Sequence, residues 1–508
     1  MKKYSCAFVL LLFSTTIMAQ NIGDALRLSN YRIQGTARST AMGNAIGALG
    51  GDFTSASINP AGLGIYRSSE FVLTPSFSSS NVDGTYLTTK TSASKNHFGI
   101  PNIGYVAHFN TGPNNHSSLV DFSVGFGYNR MTNFNINETV RGDGATSSLL
   151  DGFTLNSDNT NSSQLDSYYE GLAYNVGLIY PYSNDSLVYA SDLQKNPYTD
   201  DFTNYPHSQQ KRYEHKGSIE EYLISVGLDF NHKLYLGATL GIQDVYFKAY
   251  EDLNEYNIDY QNSDLSDFLN EYAFNTYYKT VGTGINLKLG AIYRPTASLR
   301  LGLAIHTPTW YNLEDDYQNY AYSDLTLDGK EGTYNSTSPY GQYDYNLRTP
   351  MRGYLSAAYI FGKSGLVSVD YEYVDYNNMK FTDGEDGYSF SPENQDISDY
   401  YKSVGNWHIG AEYRVSPQFS LRGGYEYFPS PYKDNVDGNY QPNSDNTDWS
   451  YSFGFGYQQG AFFLDAAYKR TIQKNNESLY SVPDGVNTPW AKFSNKTDYM
   501  ALTMGFRF

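Results

Sequence analysis

The sequence predicts an all-β fold: a transmembrane antiparallel β-barrel of about fourteen strands with a small N-terminal plug inside it. Three observations predict this. The first is the end of the chain, where Met500, Leu502, Met504, Phe506 and Phe508 alternate with Ala501, Thr503, Gly505 and Arg507. Side chains of a strand point alternately to opposite faces, so this segment has one apolar face and one small or polar face. A strand set between lipid and a wet lumen has that pattern. The second is composition: 51 tyrosines and 28 phenylalanines at a mean hydropathy of −0.52. Barrels place aromatic girdles at both membrane interfaces and need only alternate residues to be apolar. The third is the sorting of the connections, short on one side and long on the other.

Taken in order, the chain opens Met1-Lys2-Lys3, then an apolar run from Cys6 to Phe13, then small residues up to Ala19. This reads as a secretory signal peptide over residues 1–19. The run is too short to span a bilayer as a helix, and no later stretch is long and apolar enough either. Cys6 is the single cysteine and precedes the apolar core, where a lipoprotein cysteine would follow it. The mature chain is therefore expected to carry no disulfide and no thiol chemistry. Residues 20–66 do not read as strands. Ala37 to Leu49 is rich in Gly and Ala and predicts short helical turns packed inside something, and Asn59-Pro60-Ala61-Gly62 is a turn signal.

Residues 67–508 are expected to form the barrel. Strands are predicted from Glu70–Ser80, His97–Phe109 and Ser118–Phe134 through to Ala461–Gln473 and Thr497–Phe508. In one of them Trp449, Tyr451, Phe453, Phe455 and Tyr457 alternate with Ser450, Ser452, Gly454 and Gly456. Short turns fall at Asn231-His232, Pro295 to Ser298, Gly362 to Ser364, Val415 to Pro417 and Gln459 to Ala461. Long loops are predicted over about 135–216, 251–277, 312–345, 381–401, 431–447 and 474–496, with a short helix within Gln164 to Ile179. One strand changes phase. Phe98 and Ile100 share one parity, whereas Ile103, Tyr105, Ala107 and Phe109 share the other. Proline cannot donate to a ladder, so a bulge is expected at Pro101-Asn102. Gly99, Gly104, Gly125 and Gly127 would leave room beside it, which marks Gly99, Pro101, Asn102, Gly125 and Gly127 as a candidate lateral gate.

The formal net charge is −18, more acidic still once Lys2 and Lys3 are removed, and nucleic acid is not an expected partner. Parity places Lys288, Arg300, Arg352, Arg422, Lys469 and Arg507 on the lumen face, with Asp121, Asp229, Asp370, Glu372, Glu412, Glu426 and Asp465. Mixed charge of this kind reads first as a structural ladder. For an acidic ligand, Lys288, Arg300, Arg352 and Arg422 are the candidate partners of its carboxylate. The eight histidines are scattered, and there is no Gly-x-Ser-x-Gly elbow or metal spacing. Catalytic residues, metal sites and cofactors are not expected, and the protein is not read as an enzyme.

Two stretches resemble known proteins. The terminal Phe508 resembles the C-terminal signal of bacterial outer-membrane barrels. Ala37-Arg38-Ser39-Thr40-Ala41-Met42-Gly43 through Ile58-Asn59-Pro60-Ala61-Gly62 resembles the FadL/TodX family of outer-membrane transporters of long-chain fatty acids and aromatic hydrocarbons. The likeness is specific over about residues 30–66 and architectural over the barrel. It implies a plug motif at Arg38 and Asn59 to Gly62, with Asn59 near the ligand head group. It further implies passive uptake of a hydrophobic small molecule through a greasy lumen, with release through a gap near a kinked early strand. The alternative role is a FadL-like accessory barrel of type IX protein secretion. A haem receptor lacks a convincing His pair, a TonB-dependent receptor needs a larger plug, and a diffusion porin needs none. The implied setting is the Gram-negative outer membrane: a monomer in lipid, exported by its signal peptide and inserted by the barrel-assembly machinery.

Overall fold

The computed structural model describes residues 22–111, 118–182, 187–195, 203–260, 267–384, 387–436, 439–480 and 488–508. The predicted signal peptide lies outside these residues. From Glu70 onward the chain makes a closed antiparallel barrel of fourteen strands. They are β1 (Glu70–Tyr86), β2 (Thr89–Asn110), β3 (Leu119–Asn133, continuing as Ile136–Ala145), β4 (His207–Phe230), β5 (Leu234–Tyr256), β6 (Phe268–Tyr293) and β7 (Leu299–His306, continuing as Trp310–Leu327). The remainder are β8 (Gly341–Arg348 and Arg352–Phe361), β9 (Gly365–Asp375 and Lys380–Thr382), β10 (Ser403–Arg414), β11 (Phe419–Phe428), β12 (Asp448–Gln459), β13 (Phe462–Ser478) and β14 (Trp490–Arg507). β14 pairs back onto β1, Arg507 opposite Glu70 and Lys492 opposite Thr85. The wall has no free edge there, as a bilayer demands of every backbone polar group.

The short turns fall as the sequence predicts, between Phe230 and Leu234, Phe361 and Gly365, and Gln459 and Phe462. The opposite end departs from the prediction. Much of the length expected as loop is strand: β3 runs on to Ala145, β4 begins at His207, β5 ends at Tyr256, and β7 continues to Leu327 and folds back through Lys330–Thr337. Both faces of these extensions are polar or tyrosine-rich, so no apolar alternation marks them as strands. Beyond the predicted helix, found at α5 (Glu170–Asn175), the long-loop end carries α4 (Leu149–Ser157) and α6 (Ser391–Tyr400).

Ahead of the wall lie α1 (Ile22–Ser29), α2 (Ala37–Ala41), α3 (Ser55–Ile58) and a 3₁₀ turn (Pro60–Ile65). Thr36 caps α2 through its side chain, and Asn59 caps the 3₁₀ turn in the same way with Pro60 at its first position. Ala37, Ala41, Ala45, Ala56 and Ala61 are fully buried. Small side chains let this segment lie directly on the inner wall. Glycines on the wall face it: a Cβ on Gly454 would lie 2.3 Å from the Ala41 Cβ, and one on Gly237 would lie 2.3 Å from the Pro60 carbonyl carbon.

Candidate functional site

The inward charges of the wall are spent on the N-terminal segment and on one another. Arg38 pairs with Glu412 at 3.2 Å, and Glu412 pairs in turn with Arg422 at 2.7 Å, which holds Asp465 at 2.5 Å. Arg352 pairs with Glu372 at 2.6 Å, donates to the Ser29 carbonyl and lies over the Tyr31 ring. Lys288 pairs with Glu221, which also accepts from Ser57 at 2.9 Å. Arg300 donates to the Leu49 carbonyl at 2.6 Å. The four cations singled out from the sequence therefore each hold structure together. At the short-turn rim Asp121, Asp229 and His232 converge, and Arg67 sits among them, 3.4 Å from Asp121 and 3.0 Å from Asp229.

Asn59 is buried, and both ends of its amide are occupied. Its Nδ2 donates to the carbonyls of Gly47 at 2.6 Å and Ala291 at 3.3 Å, and its Oδ1 accepts from the Ala61 amide at 3.2 Å. It lies against β6, where a Cβ on Gly290 would come 2.0 Å from its Oδ1. Ala61 packs on Tyr235 and Ile292, and the Gly62 carbonyl accepts from the Gly51 amide at 3.1 Å. The Asn-Pro-Ala-Gly turn thus docks on β5 and β6.

The irregularity at Pro101 is present. Thr74 pairs with Asn102 and Ser76 with Gly99, so Ile100 and Pro101 together oppose the single residue Pro75. On the other side of β2, pairing to β3 runs from Asn110 opposite Asp121 up to Asn102 opposite Asn129 and stops. Above that point β2 keeps its ladder to β1 alone among the described residues. Side chains cross the seam instead. Thr91 donates to the Thr139 carbonyl at 2.5 Å, Lys95 reaches Asn137 at 3.1 Å, and Tyr128 donates to the Ile100 carbonyl.

At the same height β3 has a register shift between Arg130 and Thr132. Its freed carbonyls are taken by the N-terminal segment: the Arg32 amide donates to Met131 and the Gln34 amide to Arg130, both at 2.8 Å. Where β2 leaves β3, Arg32 to Gln34 acts as a short substitute strand. The Arg130 side chain pairs with Glu220 at 2.7 Å and lies against Gly99, where a Cβ would sit 2.9 Å from its guanidinium. Asn102 donates to Asn129 at 2.6 Å, and Asn129 donates to Ser57 at 2.9 Å.

The glycines near the break are occupied. A Cβ on Gly104 would meet the Phe53 ring at 2.3 Å and one on Gly127 would meet it at 2.7 Å, while one on Gly125 would meet Leu63 at 2.7 Å. Phe53 is fully buried in this hollow. Phe53 and Arg130 were missed from the sequence. Phe53 had a signal, as the one large ring in a stretch of Gly, Ala, Ser and Thr; Arg130 is legible only once the register of β3 is known.

Two cavities, of about 250 and 290 Å³, lie above the N-terminal segment and share Asn30, Arg32, Ile136, Phe428, Gln473 and Asn495. They carry many polar side chains, which departs from the greasy lumen that the resemblance implied.

The family described as outer membrane protein transport protein (OMPP1/FadL/TodX) matches residues 14–508. The chain belongs to the OMPP1/FadL/TodX family. Its members are outer-membrane β-barrel transport channels for hydrophobic compounds, and this chain is a FadL-like barrel of that kind. A search of curated protein sequences returned no match. Among solved structures, a FadL homologue of Pseudomonas aeruginosa is similar at 13% identity and a TM-score of 0.55, over 94% of this chain and 99% of that one. The toluene transporter TodX of Pseudomonas putida is similar at 15% identity and a TM-score of 0.53, over 93% and 98%. At such identity these likenesses speak for the fold. The match to transport channels does not favour the secretion-accessory alternative.

Proposed function

We propose that this protein is a passive uptake channel whose ligand enters at the long-loop end and leaves sideways into the membrane between β2 and β3. Residues 20–66 act as the hatch. One observation carries the reading: the ladder between β2 and β3 stops at Asn102 and Asn129, and Arg32 to Gln34 takes the bonds that β3 has lost. A wall bonded in this way is closed there by the hatch and by side chains, and not by its own ladder. Arg32 also lines both cavities, so a ligand lodged there presses on the segment that seals the seam. Transfer of apolar surface into the bilayer gives about 25 cal/mol per Å², so release needs no energy source. TodX, a toluene transporter, has the same fold, which supports an apolar moiety in the ligand. The protein works as a monomer in outer-membrane lipid, after insertion by the barrel-assembly machinery.

The test is to fasten the seam. Cysteines introduced by His97→Cys and Arg130→Cys replace side chains whose nitrogens lie 3.5 Å apart across it. A short bis-methanethiosulfonate crosslinker between them is expected to stop uptake of a hydrophobic dye into vesicles, with the barrel still folded, and reductive cleavage to restore it. Unchanged uptake through the crosslinked barrel removes the lateral route.

A further inference from the structure

We propose that the protein carries an anion site at its short-turn end: a pocket between hatch and wall that takes a small solute bearing two or more phosphate or carboxylate charges. The site lies apart from the uptake route and does not depend on it. Short turns mark the periplasmic end of such a barrel. There a cavity of about 290 Å³ is bounded by Arg38 and Leu49 to Gly51 of the hatch and by inward-facing residues of the wall from β7 to β14. Five arginines line it, Arg38, Arg300, Arg414, Arg422 and Arg507, against two acids, Glu412 and Asp465. The whole chain has a formal net charge of −18, so a cationic pocket runs against its composition. The nearby acids are already spent. Glu412 is shared by Arg38 and Arg422, Asp465 is held by Arg422, and Arg507 pairs with Glu70 at 2.7 Å. Among the described residues no carboxylate is left for Arg300 or Arg414.

Arg300 makes the case. It is half-buried, and the Leu49 carbonyl accepts from its guanidinium without neutralising the charge. The full charges that act on it most strongly are those of Arg294, Arg38 and Arg67, all of its own sign. A charge drawn out of water is ordinarily paired, because its desolvation is costly. An anion in the pocket supplies the partner that the chain does not. Arg414 shares a face of β10 with Glu412 and opens on the same space from the rim. Planar guanidinium groups meet the oxygens of phosphate and carboxylate two at a time, which fits an arginine cluster to these groups. Two unmatched cations on separate strands call for more than one negative charge. The lining faces the lumen, so the wall stands between this pocket and lipid, and the ligand comes from the periplasmic solution. Arg38 and Leu49 belong to the hatch, Arg300 and Arg414 to the wall, so an anion held here ties the two together.

The experiment titrates inorganic pyrophosphate, by calorimetry at low ionic strength, into the full mature chain in nanodiscs of phosphatidylcholine, whose head groups carry no net charge. One pyrophosphate per barrel is expected to bind. Arg300→Gln and Arg414→Gln are each expected to weaken it about tenfold, the scale of one lost charge-assisted hydrogen bond. Arg212→Gln, on the strand extension at the opposite end, is expected to leave it unchanged. Arg414 is exposed at the rim, so its variant carries the test alone where Arg300→Gln does not fold. No binding by a correctly folded barrel, an affinity that Arg414→Gln leaves unchanged, or an equal loss in Arg212→Gln overturns the inference. Each of these outcomes leaves the uptake reading standing.

Discussion

Asp151 shows what single residues do at the long-loop end, well away from the membrane. It stands in the first turn of α4, where its carboxylate accepts from the Ser148 amide at 2.8 Å and from Asn204 at 2.9 and 2.8 Å. Burial outweighs these bonds and raises its pKa to about 7. An acid whose folded value is raised adds stability below its unfolded value, and loses it as pH climbs through the folded one. The cap formed by α4 is therefore expected to be tightest in acid and to loosen as pH rises through about 7. Amide exchange over Leu149–Ser157 measures this: protection should fall between pH 5 and 8.5, and Asp151→Asn should flatten the profile. Exchange that does not change with pH in the native chain contradicts it. At this scale the sequence speaks unevenly. Asn59 and Arg38 stand out as a motif, yet their roles depend on wall atoms hundreds of residues away, such as the Ala291 carbonyl and Glu412. Pairings of that span have no local signature.

Among elements, the terminal strand was the most legible and the long-loop extensions the least. β14 alternates because one face meets lipid and the other the lumen; above the membrane the outer face meets water and the inner one packs on α4 and α5 through scattered Tyr, Val and Leu, and the alternation fades. The same logic explains why the break in β2 was visible: Pro101 is a chemical interruption of a ladder, and parity records the extra residue. The stop in the β2–β3 ladder was not visible, since each strand looks regular alone. β14 closes the barrel through Arg507 opposite Glu70, joined by an ion pair at 2.7 Å, and through paired backbone bonds between Ser69 and Phe508 at 3.1 and 3.0 Å. Deletion of Phe506 to Phe508 removes this corner and leaves the first residues of β1, Glu70 and Phe71, without their partners, where each unmet backbone group costs several kcal/mol in an apolar setting. Most of the heat-modifiable, folded form should be lost on semi-native gels. A truncated chain that folds at the native level would show that closure does not depend on this corner.

For the whole molecule, the wall and the N-terminal segment are joined through wall carboxylates. Glu221, Asp370, Glu412 and Glu426 all bond groups of residues 38–57. Planar bilayers reconstituted with the intact chain are accordingly expected to show no steady ion current, and a chain lacking residues 22–66 to show a large, cation-preferring one. Equal currents from the two would mean that the segment does not occlude the lumen. The wall's dimensions add something else. β6 has 26 residues, and at about 3.3 Å per residue and a tilt of about 40° it rises some 65 Å, against an apolar band of about 25 Å. Over this strand the rim thus stands roughly 40 Å clear of the hydrocarbon, whereas β11, with 10 residues, spans little more than the band itself. On the route proposed above, a cargo discharged at the seam spreads in two dimensions, so its emptying follows lateral mixing in the leaflet.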